Sequence, residues 1–97
     1  MAFAVVATWT AKEGEEKRIL DVIARVTPPS RAEEKNLVYQ AHVSPDDPRT
    51  FVLYEQYTDE EGFEEHRASA HFQEHVLGYA LQYLESREIK TYRTVDG

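Results

Sequence analysis

The sequence predicts an α+β domain in which a four-stranded antiparallel sheet carries helices on one face. Three observations lead there. Strand-like and helix-like stretches alternate in the order strand, helix, strand, strand, helix, strand. The two middle strands are separated only by Pro45-Asp46-Asp47-Pro48-Arg49, whose Pro and Asp residues favour a tight reversal. Each helical stretch shows one apolar stripe, as a helix covering one side of a sheet requires. The order is that of a split βαβ, or ferredoxin-like, arrangement.

The first strand is Phe3 to Thr10, rich in β-branched and aromatic residues, with Phe3, Val5, Ala7 and Trp9 on one face and Ala4, Val6, Thr8 and Thr10 on the other. Both faces are largely apolar. A helix over Glu13 to Thr27 follows, with Ile19, Leu20, Ile23 and Val26 at helical spacing behind an acidic first turn, and Pro28-Pro29 is expected to stop it. Ser30 and Glu33, three apart, suit the cap of a short extra turn. Leu37 to Ser44 and Thr50 to Thr58 form the hairpin strands. Thr58 is the expected N-cap of the next helix, with Asp59, Glu60 and Glu61 supplying negative charge in its first turn. Ser69-Ala70 marks a break, after which Phe72, Val76, Tyr79, Ala80, Tyr83 and Leu84 recur as a helical stripe. Glu88 to Val95 is a mixed strand suited to a sheet edge. Helices on one side leave the other sheet face apolar and open, a surface that a two-fold dimer would cover most simply.

Composition narrows the chemistry. The 97 residues make a single domain, 1–97, able to bury about 65% of its unfolded surface. With 41% hydrophobic and 30% charged residues the chain has the balance of a folded globule. A formal charge of −7 and no basic run argue against a nucleic-acid partner. No apolar run approaches the roughly 20 residues that span a bilayer, and no basic leader precedes the first strand, so a cytoplasmic protein without membrane contact is expected. Absence of Cys excludes disulfides, thiolate metal sites and thiol nucleophiles. Catalysis must then fall to His, Tyr, Trp or carboxylates.

Three of the four His lie close together at His66, His71 and His75. His71-Phe-Gln-Glu74-His75 matches the H-x-x-E-H string of one class of zinc proteases. Those enzymes need a third ligand and a cleft in a much larger chain, so polar residues flanking an apolar stripe are the simpler account, and no metal is assigned. His66 falls three residues after Phe63 on one helical face. A neutral imidazole at the edge of an apolar cavity suits proton abstraction near neutral pH, with a satisfied core or rim histidine as the alternative. Trp9, Tyr39, Tyr54 and Tyr57 lie on strands from which they could line a pocket beneath the helices, although each taken singly suits the core. Tyr79 and Tyr83 suit packing, and Asp46-Asp47 and Glu60-Glu61 suit a turn and a helix start.

The stretch Phe51-Val-Leu-Tyr54-Glu55-Gln-Tyr57-Thr-Asp59-Glu60-Glu-Gly-Phe63-Glu-Glu-His66-Arg67-Ala-Ser69-Ala-His71-Phe72 resembles the signature of the antibiotic biosynthesis monooxygenase domain, that of quinol-monooxygenase-like proteins. Trp9-Thr10-Ala-Lys-Glu-Gly14, the helix after it and Leu37-Val-Tyr39-Gln fall in register with the same pattern. The resemblance implies a ferredoxin-like fold that dimerises sheet to sheet into an α+β barrel, with a pocket in each subunit. It implies a monooxygenase that uses molecular oxygen and no cofactor on a small aromatic, quinol or polyketide-like substrate, which supplies the electrons once deprotonated. His66 is then the base or proton shuttle, and His71, Arg67, Trp9, Tyr39 and Tyr54 are pocket or rim residues, with Arg67 able to hold an anionic oxygen.

Other branches of the same fold give alternatives. Isomerases of small dicarbonyl sugar phosphates need a base and an anion-holding cation, which His66 and Arg67 could also supply. A non-catalytic dimeric binder of small aromatics is a third option. A haem-degrading branch relies on an Asn, a Trp and an iron-ligating His, and the corresponding positions here hold Ala7, His66 and Val76. His75 is one residue away from the ligand position, a rotation of about 100° on a helix, and haem degradation is disfavoured.

Overall fold

The computed structural model describes residues 1–95; Asp96 and Gly97, the end of the 1–97 span, lie outside the described residues. Strand β1 (Phe3–Ala11) is followed by helix α1 (Glu16–Arg31), strands β2 (Asn36–Val43) and β3 (Thr50–Tyr57), helix α2 (Glu60–Ala68), a π-helical segment (Phe72–Leu77), a 3-10 turn (Ala80–Tyr83) and strand β4 (Leu84–Arg93). The strands pair antiparallel in the order β2-β3-β1-β4, the ferredoxin-like topology expected.

Strand alternation decides what each face carries. Val5 pairs with Glu55 and Glu55 with Tyr39, and Trp9 pairs with Phe51, so these side chains share the face against the helices. The core there joins Ala7, Trp9, Phe51 and Leu53 of the sheet to Ile19, Val22 and Val26 of α1 and to Phe72, Val76, Ala80 and Leu84. Val6, Tyr54 and Gln40 form the corresponding row on the other face.

Helix α1 departs from expectation at both ends. Its start moves from Glu13 to Glu16 because Gly14 takes a left-handed φ of 84° and donates its N–H to Glu16 Oε1 at 2.9 Å. Such a φ is available to glycine at little strain. The helix also runs through Pro28 and Pro29 to Arg31. The prolines remove the N–H groups that would bond the carbonyls of Ala24 and Arg25, but both of those residues face solvent, where water can replace the lost donors. Meanwhile the buried stripe Val22, Val26, Ser30 continues unbroken, and Arg31 Nε donates to the carbonyl of Tyr39 at 3.0 Å, tying the last turn to β2. Packing thus outweighs the proline penalty. Ser30 belongs to this helix and does not cap a separate turn.

The β2–β3 reversal forms as expected. Asp47 accepts from the Arg49 N–H at 3.0 Å and from the Thr50 hydroxyl at 2.7 Å. These bonds, the Thr50 hydroxyl first, hold its carboxyl below the ordinary range.

The N-cap of α2 is Asp59, not Thr58: its carboxylate accepts from the Gly62 N–H at 3.0 Å, while Thr58 donates its own N–H to the carbonyl of Lys35 at 2.9 Å. The break at Ser69 is present, with Ser69 in an extended conformation. Beyond it the expected regular helix is replaced. Gly78 donates to the carbonyl of Gln73 at 2.9 Å, a five-residue step that widens the turn into a π-helix. Phe72, Val76, Ala80 and Leu84 are all buried, yet Leu84 already belongs to β4, paired with Ala11 after a register shift. β4 therefore starts four residues before the expected Glu88 and ends at Arg93.

Candidate functional site

Ser69 organises the side chains around the break. Its hydroxyl donates to the carbonyl of His66 at 2.6 Å and accepts from the Phe72 N–H at 3.2 Å, so one residue closes α2 and opens the next segment. That fixes His66 and His71 relative to each other, and both imidazoles reach Glu33 in the turn after α1. Glu33 Oε2 accepts from His66 Nδ1 at 2.8 Å and from His71 Nε2 at 2.6 Å. His66 Nε2 faces Glu55 Oε1 at 3.8 Å, and Glu55 Oε1 accepts the Tyr57 hydroxyl at 2.6 Å. The result is a chain of titratable groups, His71–Glu33–His66–Glu55–Tyr57, running from the rim into the core.

Burial sets the electrostatics of its inner end. It pushes the Glu55 carboxyl up, an effect that His66 and the Tyr57 hydrogen bond oppose. Desolvation and then the charge of Glu55 push both Tyr39 and Tyr57 up, leaving their phenols protonated hydrogen-bond donors. Around His66 stand Tyr39, Tyr57, Phe63, His71 and Phe72, with ring centroids 5.2–6.4 Å away.

His66 is only 2% exposed. With one ring nitrogen bonded to Glu33 and the other 3.8 Å from Glu55, it is placed to exchange a proton with Glu33 and not to touch a substrate directly. The accessible end is formed by His71 and Glu33, whose side chains are 18% and 17% exposed.

Beside this chain, across Phe72, lies a surface cleft of about 380 Å³ lined by residues including Arg67, Phe72 and Arg87. The Phe72 ring meets His66 on one side, and the Arg87 guanidinium lies 5.7 Å from its centroid. Arg67 bonds Glu64 at 2.8 Å and sits 4.8 Å from the Phe63 ring centroid. Burial and then the neighbouring Arg67 charge push the Arg87 guanidinium down, and its Nε is buried with no hydrogen-bond partner among the described residues. Glu64 lines the same cleft and pairs with Arg67, so the incompletely bonded Arg87 is the cation that favours an anionic occupant.

The remaining candidates separate. Tyr39 reaches the His66 cluster. Trp9 is buried in the main core, its indole Nε1 unbonded among the described residues. Tyr54 does not lie beneath the helices: it is one step out of phase with Leu53 and Glu55, so its hydroxyl is on the open face, where it accepts from Gln56 Nε2 at 2.7 Å. His75 lines a separate groove with Asp21, Arg25 and Tyr79, so of the two histidines in the H-x-x-E-H string only His71 joins the Glu33 cluster. Sequence reasoning missed Glu33, Glu55 and Arg87 as members of the site. Glu55 carried a signal, a carboxylate in phase with the inward Phe51, Leu53 and Tyr57; Glu33 and Arg87 had none that was local.

The model of the antibiotic biosynthesis monooxygenase family matches residues 2–76. The chain belongs to that family. No curated protein matches it. Among solved structures, one from Shewanella oneidensis is 28% identical, covering 94% of this chain and 88% of its own, with a TM-score of 0.88. One from Pseudomonas aeruginosa is 25% identical over 98% of this chain and 95% of its own, with a TM-score of 0.91. A structure described as an antibiotic biosynthesis monooxygenase shares 21% identity over 97% of this chain and 99% of its own, at a TM-score of 0.90, a likeness of fold. The family match covers the strand–helix–hairpin–helix unit that carries His66, His71 and Glu33 and ends at Val76, before Arg87.

Proposed function

We propose that this member of the antibiotic biosynthesis monooxygenase family oxidises a small, electron-rich aromatic of the quinol or anthrone type with molecular oxygen and no cofactor. The observation that carries the proposal is the placement of the Arg67–Arg87 cleft and the His71–Glu33–His66 chain on either side of Phe72. The cleft volume of about 380 Å³ falls in the range of small-ligand sites. Arg87 and Arg67 hold the phenolate or enolate oxygen and favour its deprotonated form, and Phe72 supplies an apolar wall. His71, across Phe72 from the cleft, receives the proton by way of solvent at the rim, and Glu33 relays charge to His66.

The electron-rich anion gives one electron to oxygen, and the two radicals join to make a carbon–oxygen bond. Loss of the hydrogen remaining on that carbon breaks the O–O bond. One oxygen atom remains as a carbonyl, the other leaves as water with the two hydrogens the substrate has given up, and all four electrons that reduce the oxygen come from the substrate. In this scheme a second copy of the chain covers the open sheet face and completes an α+β barrel, which sedimentation of the purified protein tests.

Two guanidiniums in one cleft also suit a phosphate, which makes isomerisation of a phosphorylated dicarbonyl the competing function. Oxygen uptake with hydroquinones and anthrones separates the two. Uptake that falls about 10- to 100-fold in Arg87→Ala, the loss expected for one charge-assisted hydrogen bond, supports oxygenation. No uptake, with solvent proton exchange into a phosphorylated diketone, supports isomerisation. Ligand binding with neither activity would leave a binder.

A further inference from the structure

We propose that Glu33, His66 and His71 form a binding site for a divalent first-row transition ion, with zinc the ion best suited to the donor set. Two imidazole nitrogens and one carboxylate oxygen are ligands that zinc takes readily, whereas calcium and magnesium demand oxygen. The three donor atoms lie within 4.8 Å of one another. Zinc bonds of about 2.0–2.2 Å would set tetrahedral donors about 3.3 Å apart, so the two separations from Glu33 open by roughly 0.5–0.7 Å while the two imidazole nitrogens draw together from within 4.8 Å. Those separations are 2.8 Å from Glu33 to His66 and 2.6 Å from Glu33 to His71.

Three further observations point to an ion and not merely to a hydrogen-bonded cluster. Glu33 Oε1 is buried without a hydrogen-bond partner among the described residues, which leaves the carboxylate a second oxygen for chelation. On binding, His66 must free Nδ1 and carry its proton on Nε2, the nitrogen that faces Glu55 Oε1 at 3.8 Å. A carboxylate behind a ligating imidazole is the usual means of fixing its tautomer and orientation, and Glu55 is itself held by Tyr57. Finally, the Ser69 hydroxyl pins the backbone between the two imidazoles, so the ligands are set before the ion arrives. The partly exposed side of His71 and Glu33 provides the entry path. This site does not depend on the oxygenase proposal.

The test uses the full chain, stripped with a chelator and titrated with zinc by calorimetry and with cobalt(II) by visible absorption. The expected result is one ion per chain, an intense cobalt spectrum of low coordination number, and affinity lowered at least tenfold in both His71→Ala and Glu33→Gln. His75→Ala should bind as the unchanged chain does, and excess magnesium should not displace zinc. Circular dichroism of His71→Ala, a rim variant, establishes that it folds. Binding that survives in folded His71→Ala, binding lost in His75→Ala, or no stoichiometric zinc at all would overturn the assignment.

Discussion

Replacing Tyr57 by Phe removes one hydroxyl from the inner end of the buried chain and leaves the ring in contact with Phe63 and His66. The hydroxyl donates to Glu55 Oε1 at 2.6 Å inside the core. A hydrogen bond to a charged group contributes about 1.5–3 kcal/mol, a neutral one about 1 kcal/mol. Which applies depends on pH. Burial raises the Glu55 carboxyl above its ordinary value, so the folded chain keeps this proton over a range in which the unfolded chain has lost it. That contribution to stability is present below the ordinary carboxylate pKa and is lost as pH rises through the raised folded value. The Tyr57 bond pulls the other way and limits the rise, so Tyr57→Phe lifts the folded pKa further and deepens the loss on the alkaline side. Thermal melts of the chelator-treated protein should show a Tyr57→Phe deficit that is small on the acid side and grows as pH rises through the raised Glu55 value. For a domain of this size each kcal/mol moves the midpoint by about 4–8 °C, so the alkaline deficit should be roughly 6–24 °C. Combining the change with Glu55→Gln should give a clearly non-additive cycle. A deficit that does not change with pH, together with additive effects, would refute the picture of a buried carboxylate held by that hydroxyl.

Asp59→Ala should destabilise the fold by about 1 kcal/mol, read from urea midpoints, with Asp59→Asn retaining most of the cap. Gly62→Ala should lower stability by about 1–3 kcal/mol through overpacking. The added methyl would stand 2.8 Å from Lys35 Cβ and 3.0 Å from Tyr57 Cβ, neither of them the movable end of a side chain. Stoichiometric zinc should suppress oxygen uptake and a chelator should restore it, since metal-bound His66 and His71 have no lone pair for a proton; uptake unaffected by bound zinc would place the base elsewhere.

The fold was legible because strand period, helix period and the proline-flanked reversal agree with one another. Where tertiary packing overrode local preference, legibility failed: α1 passes Pro28-Pro29 because its buried face continues to Ser30, and the region after Ser69 trades a regular helix for a π turn. The site was legible in part. His66, His71 and Tyr39 converge, since the first two flank one cap and the third lies on the inward phase of β2. Tyr54 fell on the wrong face because a residue on a strand whose two faces both carry apolar side chains can be assigned to either. Glu33 meets its partners only through the fold, so no local spacing could announce it, and Arg87 becomes a cleft residue only once β4 begins at Leu84.

The most direct test of the proposed oxygenase is turnover of a hydroquinone or anthrone under isotopically labelled oxygen by the chelator-treated chain, with mass analysis of product and water. One labelled atom is expected in the product and the other in water, with both falling about 10- to 100-fold in Arg87→Ala. Product free of label, or incorporation undiminished in Arg87→Ala, would contradict the proposal.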